Sequence, residues 1–199
     1  VEYRVFENAP PSLAGIFEKG AAHGDKPFIY YEGETWTFSR LWSEAGRFAN
    51  ALSGGLGVKK GDPVAIAMRN YPEWCAAFMA LISIGAVVVP LNAWWKTEEL
   101  RYALKDCGAK LVIGDDKRLD LMAPLKEELG LRFIAVRCAR DFAGHRWDDL
   151  VSRANTDQRP RVAIGPEDDY AIYYTSGSTG NPKGVLLTHR GGISTLLSW

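Results

Sequence analysis

The chain has 199 residues, 47% of them hydrophobic and 24% charged, which is enough apolar material for a sizeable core. Its 24 basic and 24 acidic residues cancel, which excludes the broad positive footprint of a nucleic-acid binder but not a few local cations for an anionic substrate. Three cysteines, Cys75, Cys107 and Cys138, without a CxxC pair, argue against a disulfide framework or a zinc site and fit a reducing, cytoplasmic compartment.

Residues 1–11 have two acids, one arginine and no apolar run, so no signal peptide is expected. Residues 12–22 predict a short amphipathic helix with Leu13, Ile16 and Phe17 on one face. Residues 28–31 and 34–38 predict aromatic strands of a hairpin turning at Gly33. The spacing of Leu41, Trp42, Ala45, Phe48, Ala49 and Leu52 predicts a helix that stops at Gly54-Gly55.

A strand over 63–68 follows, then a helix from Pro72 to Ile84 with Asn70 as its expected cap. Residues 74–91 are eighteen uncharged, mostly apolar positions, close to the roughly 20 that span a bilayer. Gly85 and Pro90 interrupt them, and 86–89 is rich in β-branched residues, so the expectation is a buried helix and a buried strand rather than a membrane span. Further on, a helix is expected from Thr97 to near Gly108, a strand over 110–113, a helix over 119–129 and a strand over 132–136. This alternation predicts an α/β fold: a mostly parallel sheet flanked by helices and built with right-handed crossovers.

Residues 155–169 carry two prolines, a glycine and scattered charge, and read as a linker. The expected organisation is an α/β subdomain over 1–154, the linker, and over 170–199 the start of a further subdomain. A strand is expected over 170–175 and a helix from near Gly192. That helix would be cut off at apolar residues, so the chain is expected to be the first portion of a longer protein. Sheet edges bared by such a cut leave a homodimer open.

The stretch YYTSGSTGNPKGVLLTH, residues 173–189, carries the chemistry. Its glycines let the backbone approach a ligand, and successive N–H groups in such a turn form an anion-binding concavity. Ser176, Ser178 and Thr179 add hydroxyls, Lys183 adds a cation suited to phosphate oxygens, and Pro182 restricts the loop. It is not a Walker loop, because no GK[ST] opens a helix after it. A β-type run at 185–188 instead predicts a loop between two strands. A solvated Gly/Ser hairpin has the same composition.

The order of residues goes further. TSGSTGNPKG closely resembles the signature loop of the adenylate-forming superfamily, which includes acyl-CoA synthetases, luciferases and the adenylation domains of peptide synthetases. WTFSRLW at 36–42 resembles an early element of that family, with Arg40 where Glu is usual. LGVKKGDPVAIAMRNYPEW at 56–74 and ALISIGAVVVPLN at 80–92 resemble its next landmarks, in the same order. The stretch from Asn92 to Ile113 resembles acyl-CoA ligases more than peptide-synthetase domains.

The resemblance implies an ATP-dependent enzyme that converts a carboxylic acid, expected to be a fatty acid, to acyl-AMP and pyrophosphate and then to a coenzyme A thioester. It implies that Thr175, Ser176, Gly177, Ser178, Thr179, Gly180, Lys183 and Gly184 hold the phosphates of ATP, with Lys183 stabilising their charge. Thr175 or Thr179 would be a Mg²⁺ ligand. The adenine site, the ribose-binding Asp, the hinge, most of the acyl pocket and a catalytic C-terminal lysine would lie beyond residue 199, leaving this portion alone inactive. An aryl-CoA ligase, another adenylating enzyme, or a non-catalytic nucleotide-binding module of the same fold are the alternatives. His189 is read as structural more readily than functional, His23 and His145 as surface residues, and Trp94-Trp95 as packing or as lining of an acyl channel.

Overall fold

The computed structural model describes residues 5–175 and 181–198. Apart from a hairpin of β1 (Pro27–Tyr31) and β2 (Glu34–Thr37), its strands form one sheet. These are β3 (Pro63–Ala67), β4 (Val87–Pro90), β5 (Leu111–Gly114), β6 (Arg132–Ala135), β7 (His145–Arg146), β8 (Asp169–Thr175) and β9 (Lys183–Thr188). Their order is β7-β6-β5-β3-β4-β8-β9, and every neighbouring pair is parallel except β8 and β9.

Both faces of the sheet are covered, and strand periodicity divides the core between them. Val64 and Ile66 of β3 join one apolar cluster, while Ala65 and Ala67 join the other. The first cluster takes α1 (Leu13–Ala21), α2 (Phe38–Asn50), α3 (Pro72–Ser83), α7 (Trp147–Arg153) and α8 (His189–Leu197), with Phe48 and Leu81 fully buried. The second takes α4 (Thr97–Cys107), α5 (Asp116–Met122) and α6 (Lys126–Leu129), around Leu100, Leu104 and Leu119. The stretch 74–91 is accordingly a buried helix and a buried strand. Among the described residues no helix is long and apolar enough to cross a membrane.

Several boundaries differ from expectation. Tyr71, not Asn70, stands at the cap of α3, because Pro72 already occupies the first helical position. The helix expected over 119–129 begins earlier, at Asp116, where the Asp115 carboxylate accepts a hydrogen bond from Arg118 N at 3.1 Å. It breaks into a 3-10 turn at Ala123–Leu125, since Pro124 has no N–H to donate. α8 starts at His189 rather than near Gly192, capped by the Thr188 hydroxyl, which accepts from Gly191 N. Arg40, out of pattern at its position, stacks its guanidinium 4.2 Å from the centre of the Trp36 ring.

The stretch read as a linker has no helix or strand up to Asp168, yet it is bonded to the body along its length. Asn50 Nδ2 donates to the carbonyls of Thr156 and Gln158, and Ser43 Oγ to Asp157. Arg159 lies 3.6 Å over the Trp42 ring, and Lys60 pairs with Asp168 at 2.6 Å. The strand that follows joins the same sheet, beside β4.

A second tie gathers distant segments. Arg137, just past β6, makes paired hydrogen bonds to Glu73 at the start of α3 and to Glu34 on β2. The rings of Tyr31 and Tyr71 flank its guanidinium at 5.3 and 5.4 Å.

Candidate polyphosphate site at the carboxyl edge of the sheet

In open α/β sheets the carboxyl ends of the strands are where the backbone opens outward and ligands bind. Because β8 runs parallel to β4, Thr175 ends its strand on that edge. The chain returns as β9, whose first residue, Lys183, is the direct cross-strand partner of Thr175. Opposed residues of an antiparallel pair have Cβ atoms about 5 Å apart and project from the same face. The structure therefore puts the side chains of Thr175 and Lys183 on the same face, both exposed, at the two feet of the Gly/Ser/Thr loop. Ser176, Gly177, Ser178, Thr179 and Gly180 lie outside the described residues.

Strands flank the loop on both sides, as its sequence predicts, and β9 rather than a helix follows it directly. Gly184 is the partner of Tyr174. A Cβ on Gly184 would sit 3.3 Å from the Tyr174 ring and 3.0 Å from Ile172 Cγ2, so an aromatic ring occupies the space a side chain would take. Tyr174 then reaches α4: its hydroxyl donates to Asp106 Oδ2 at 2.6 Å and lies 3.1 Å from Ala103 O. Burial and the Asp106 carboxylate push its phenol well above the usual tyrosine range. Trp95 meets the same ring edge-on at 5.8 Å.

The turn that carries Trp95 is held from below. Asp115 accepts from Arg69 N at 2.9 Å and pairs with Arg118, whose other guanidinium nitrogen donates to Ala93 O at 3.2 Å. The two tryptophans consequently divide: Trp95 packs on Tyr174, while Trp94 stands 87% exposed.

His189 is wholly buried at the opposite end of β9. Its Nδ1 accepts a hydrogen bond from Leu13 N at 3.1 Å, which places the ring proton on Nε2, and burial lowers its pKa. Its position is that of a packing residue. His23 and His145 are exposed. All three cysteines are free thiols, and burial pushes Cys138 up to about 12.

A polyphosphate with Mg²⁺ fits this donor set. Thr175 and Lys183 supply one neutral oxygen and one cation, and a Mg²⁺ ion takes most of its six oxygens from phosphate and water. Among the described residues no group of three His, Cys, Asp or Glu side chains could bind a metal by itself.

The arrangement, a three-layer α/β sheet with a Gly/Ser/Thr hairpin at its carboxyl edge, is that of the N-terminal domain of adenylate-forming enzymes. A solved structure of the anthranilate CoA ligase AuaEII, in complex with anthranoyl-AMP, superposes with a TM-score of 0.84 at 25% identity, over 90% of this chain and 35% of that one. The chain belongs to the AMP-binding enzyme family, matching it over residues 16–199. It is 34% identical over 165 residues to the long-chain-fatty-acid–CoA ligase FadD13 of Mycobacterium tuberculosis, covering 82% of this chain and 31% of that protein. It is 32% identical over 192 residues to 4-coumarate–CoA ligase 3 of Arabidopsis thaliana, covering 95% of this chain and 34% of the other. The chain thus spans about a third of the length of the curated relatives it matches.

Proposed function

We propose that this chain is the phosphate-gripping portion of an ATP-dependent acid–thiol ligase that uses a fatty acid. The reading rests on one observation above all: Thr175 and Lys183 face each other at the mouth of a TSGSTGNPKG loop on the carboxyl edge of the sheet. A carboxylic acid with a pKa near that of Glu, about 4.3, is already ionised at neutral pH, so the first step needs no general base. One carboxylate oxygen attacks the α-phosphorus of ATP, the bond to the β-phosphate bridging oxygen breaks, and pyrophosphate leaves with its electron pair. The acyl carbon then passes to the sulfur of coenzyme A, AMP departs, and the thiol proton goes to solvent.

In this scheme the chain positions two anions and meets the charge on the departing pyrophosphate. Lys183 and the Thr175 hydroxyl contact β- and γ-phosphate oxygens together with Ser176, Ser178, Thr179 and the glycine amides of the loop. Mg²⁺, held in part by Thr175 or Thr179, would supply further charge neutralisation. The name of the FadD13 relative favours a long aliphatic acid, whereas the coumarate and anthranilate ligases favour an aromatic one. The three free thiols suit a cytoplasmic setting.

Lys183→Ala in the intact protein is expected to slow ATP–pyrophosphate exchange at least tenfold, the order of one charge-stabilising donor removed. An unchanged exchange rate would remove Lys183 from the reaction. A panel of aliphatic and aromatic acids in the same assay identifies the substrate class. Acyl-CoA formation by residues 1–199 alone would contradict the assignment of essential groups to the rest of the protein.

A further inference from the structure

We infer that Tyr174 and Asp106 are positioning residues for the polyphosphate loop, acting from outside it; this rests on the proposed phosphate role of Thr175 and Lys183. Tyr174 immediately precedes Thr175 and has Gly184, the residue after Lys183, as its cross-strand partner. Tyr174 therefore adjoins one foot of the loop in sequence and packs its ring on the residue after the other. Its ring lies against Gly184 on the face opposite Thr175, and its hydroxyl fastens that ring to the last turn of α4 by donating to Asp106 Oδ2 at 2.6 Å, with Ala103 O 3.1 Å away.

A Gly/Ser/Thr loop binds an anion only if its amides point the same way, and its glycines make that order entropically costly. Fixing the strand ends removes part of that cost before the ligand arrives. Neighbouring strands alone would hold β8, but β9 lies at the outer edge of the sheet, with no strand on its other side among the described residues. Its first residues pair with β8, and the Tyr174 ring packs on Gly184 among them. Trp95 closes the ring from the side, and Asp115–Arg118 holds the turn behind Trp95. The loop mouth is thereby referenced to α4 and to the carboxyl ends of β3, β4 and β5.

The test compares MgATP with AMP by titration calorimetry on the intact protein, since AMP lacks the β- and γ-phosphates the loop would hold. Tyr174→Phe retains the ring over Gly184 and removes only the hydroxyl. It is expected to weaken MgATP about tenfold, the scale of one lost charge-assisted hydrogen bond, and to leave AMP unchanged. Asp106→Ala is expected to do the same, and the double variant to add little, because both remove the Tyr174–Asp106 bond. Equal weakening of both nucleotides would reveal a general packing role and overturn the inference. So would unchanged MgATP affinity in Tyr174→Phe while Lys183→Ala loses it. If Lys183→Ala also binds MgATP normally, the phosphate role of the mouth fails first and the positioning role falls with it.

Discussion

Gly46, in the middle of α2, is where the path of the chain into the site can be broken by one methyl group. A Cβ there would lie 1.8 Å from the Asp157 carbonyl oxygen and 2.7 Å from its carbon. Both are far inside any tolerated contact, and the obstacle is backbone, so the strap over 155–159 must retreat by more than an ångström. Three hydrogen bonds are at risk: Ser43 Oγ to Asp157 at 2.8 Å, and Asn50 Nδ2 to Gln158 O at 2.8 Å and to Thr156 O at 3.3 Å.

Each is exposed and contributes roughly 0.5–1.5 kcal/mol. Against them, replacing a mid-helix glycine by alanine gains about 1 kcal/mol. Gly46→Ala is therefore expected to lose about 1–3 kcal/mol once strain is included. At about 2–4 °C per kcal/mol for a chain of this size, Tm should fall by roughly 3–10 °C. Urea denaturation and calorimetry give the numbers, and hydrogen exchange should report faster opening over 155–168. Gly54→Ala, where a Cβ meets nothing within 4 Å, is the control and should stay within about 0.5 kcal/mol of wild type. A Gly46→Ala protein as stable as wild type would refute the close crossing of strap and helix.

Two further outcomes are expected. Arg137→Ala leaves the Glu73 carboxylate, whose side chain is 8% exposed, without its partner, and should cost about 3 kcal/mol in urea unfolding; Arg137→Leu with Glu73→Leu should recover much of this by leaving no charge buried there. Stability should also fall on mild acidification. The His189 pKa is depressed by burial, so its contribution is complete above the ordinary histidine value, near 6.5, and is lost as pH drops from there through the lower folded pKa. Protonation would also take the Nδ1 lone pair from Leu13 N. Unfolding curves from pH 7.5 to 5 should show this, and His189→Gln should flatten the slope; an equal slope in both proteins would exclude His189 as its source.

Much of the fold was legible because its signals are local. The run Val64 to Ala67 and the helix spacing of Leu41 to Leu52 each declare a period, and Pro72 and Gly108 mark ends through fixed backbone preferences. Where the local signal is short, an element leaves no mark in the sequence. α7 has seven residues, too few to show a face, yet Trp147 in it packs 4.0 Å from Phe48. Within the site, Thr175, Lys183 and Gly184 were marked by the motif. Tyr174 and Asp106 were not, since their bond joins residues 68 apart and neither side chain is unusual in its own neighbourhood. The order of residues 155–168 was hidden likewise, because its partners Ser43, Asn50 and Lys60 lie a hundred or more positions upstream.

The bond from Leu13 N to His189 Nδ1 spans 176 positions. It fastens the N-terminal end of the first helix to the start of the last. During synthesis α1 emerges early, but the ring that satisfies its amide arrives only after the whole intervening sheet. A contact of such sequence separation forms late, because the loop it closes carries a large entropic cost until the strands between are in place. The Leu13 amide is thus expected to gain its partner late, after α1 has already packed on α2 and α3.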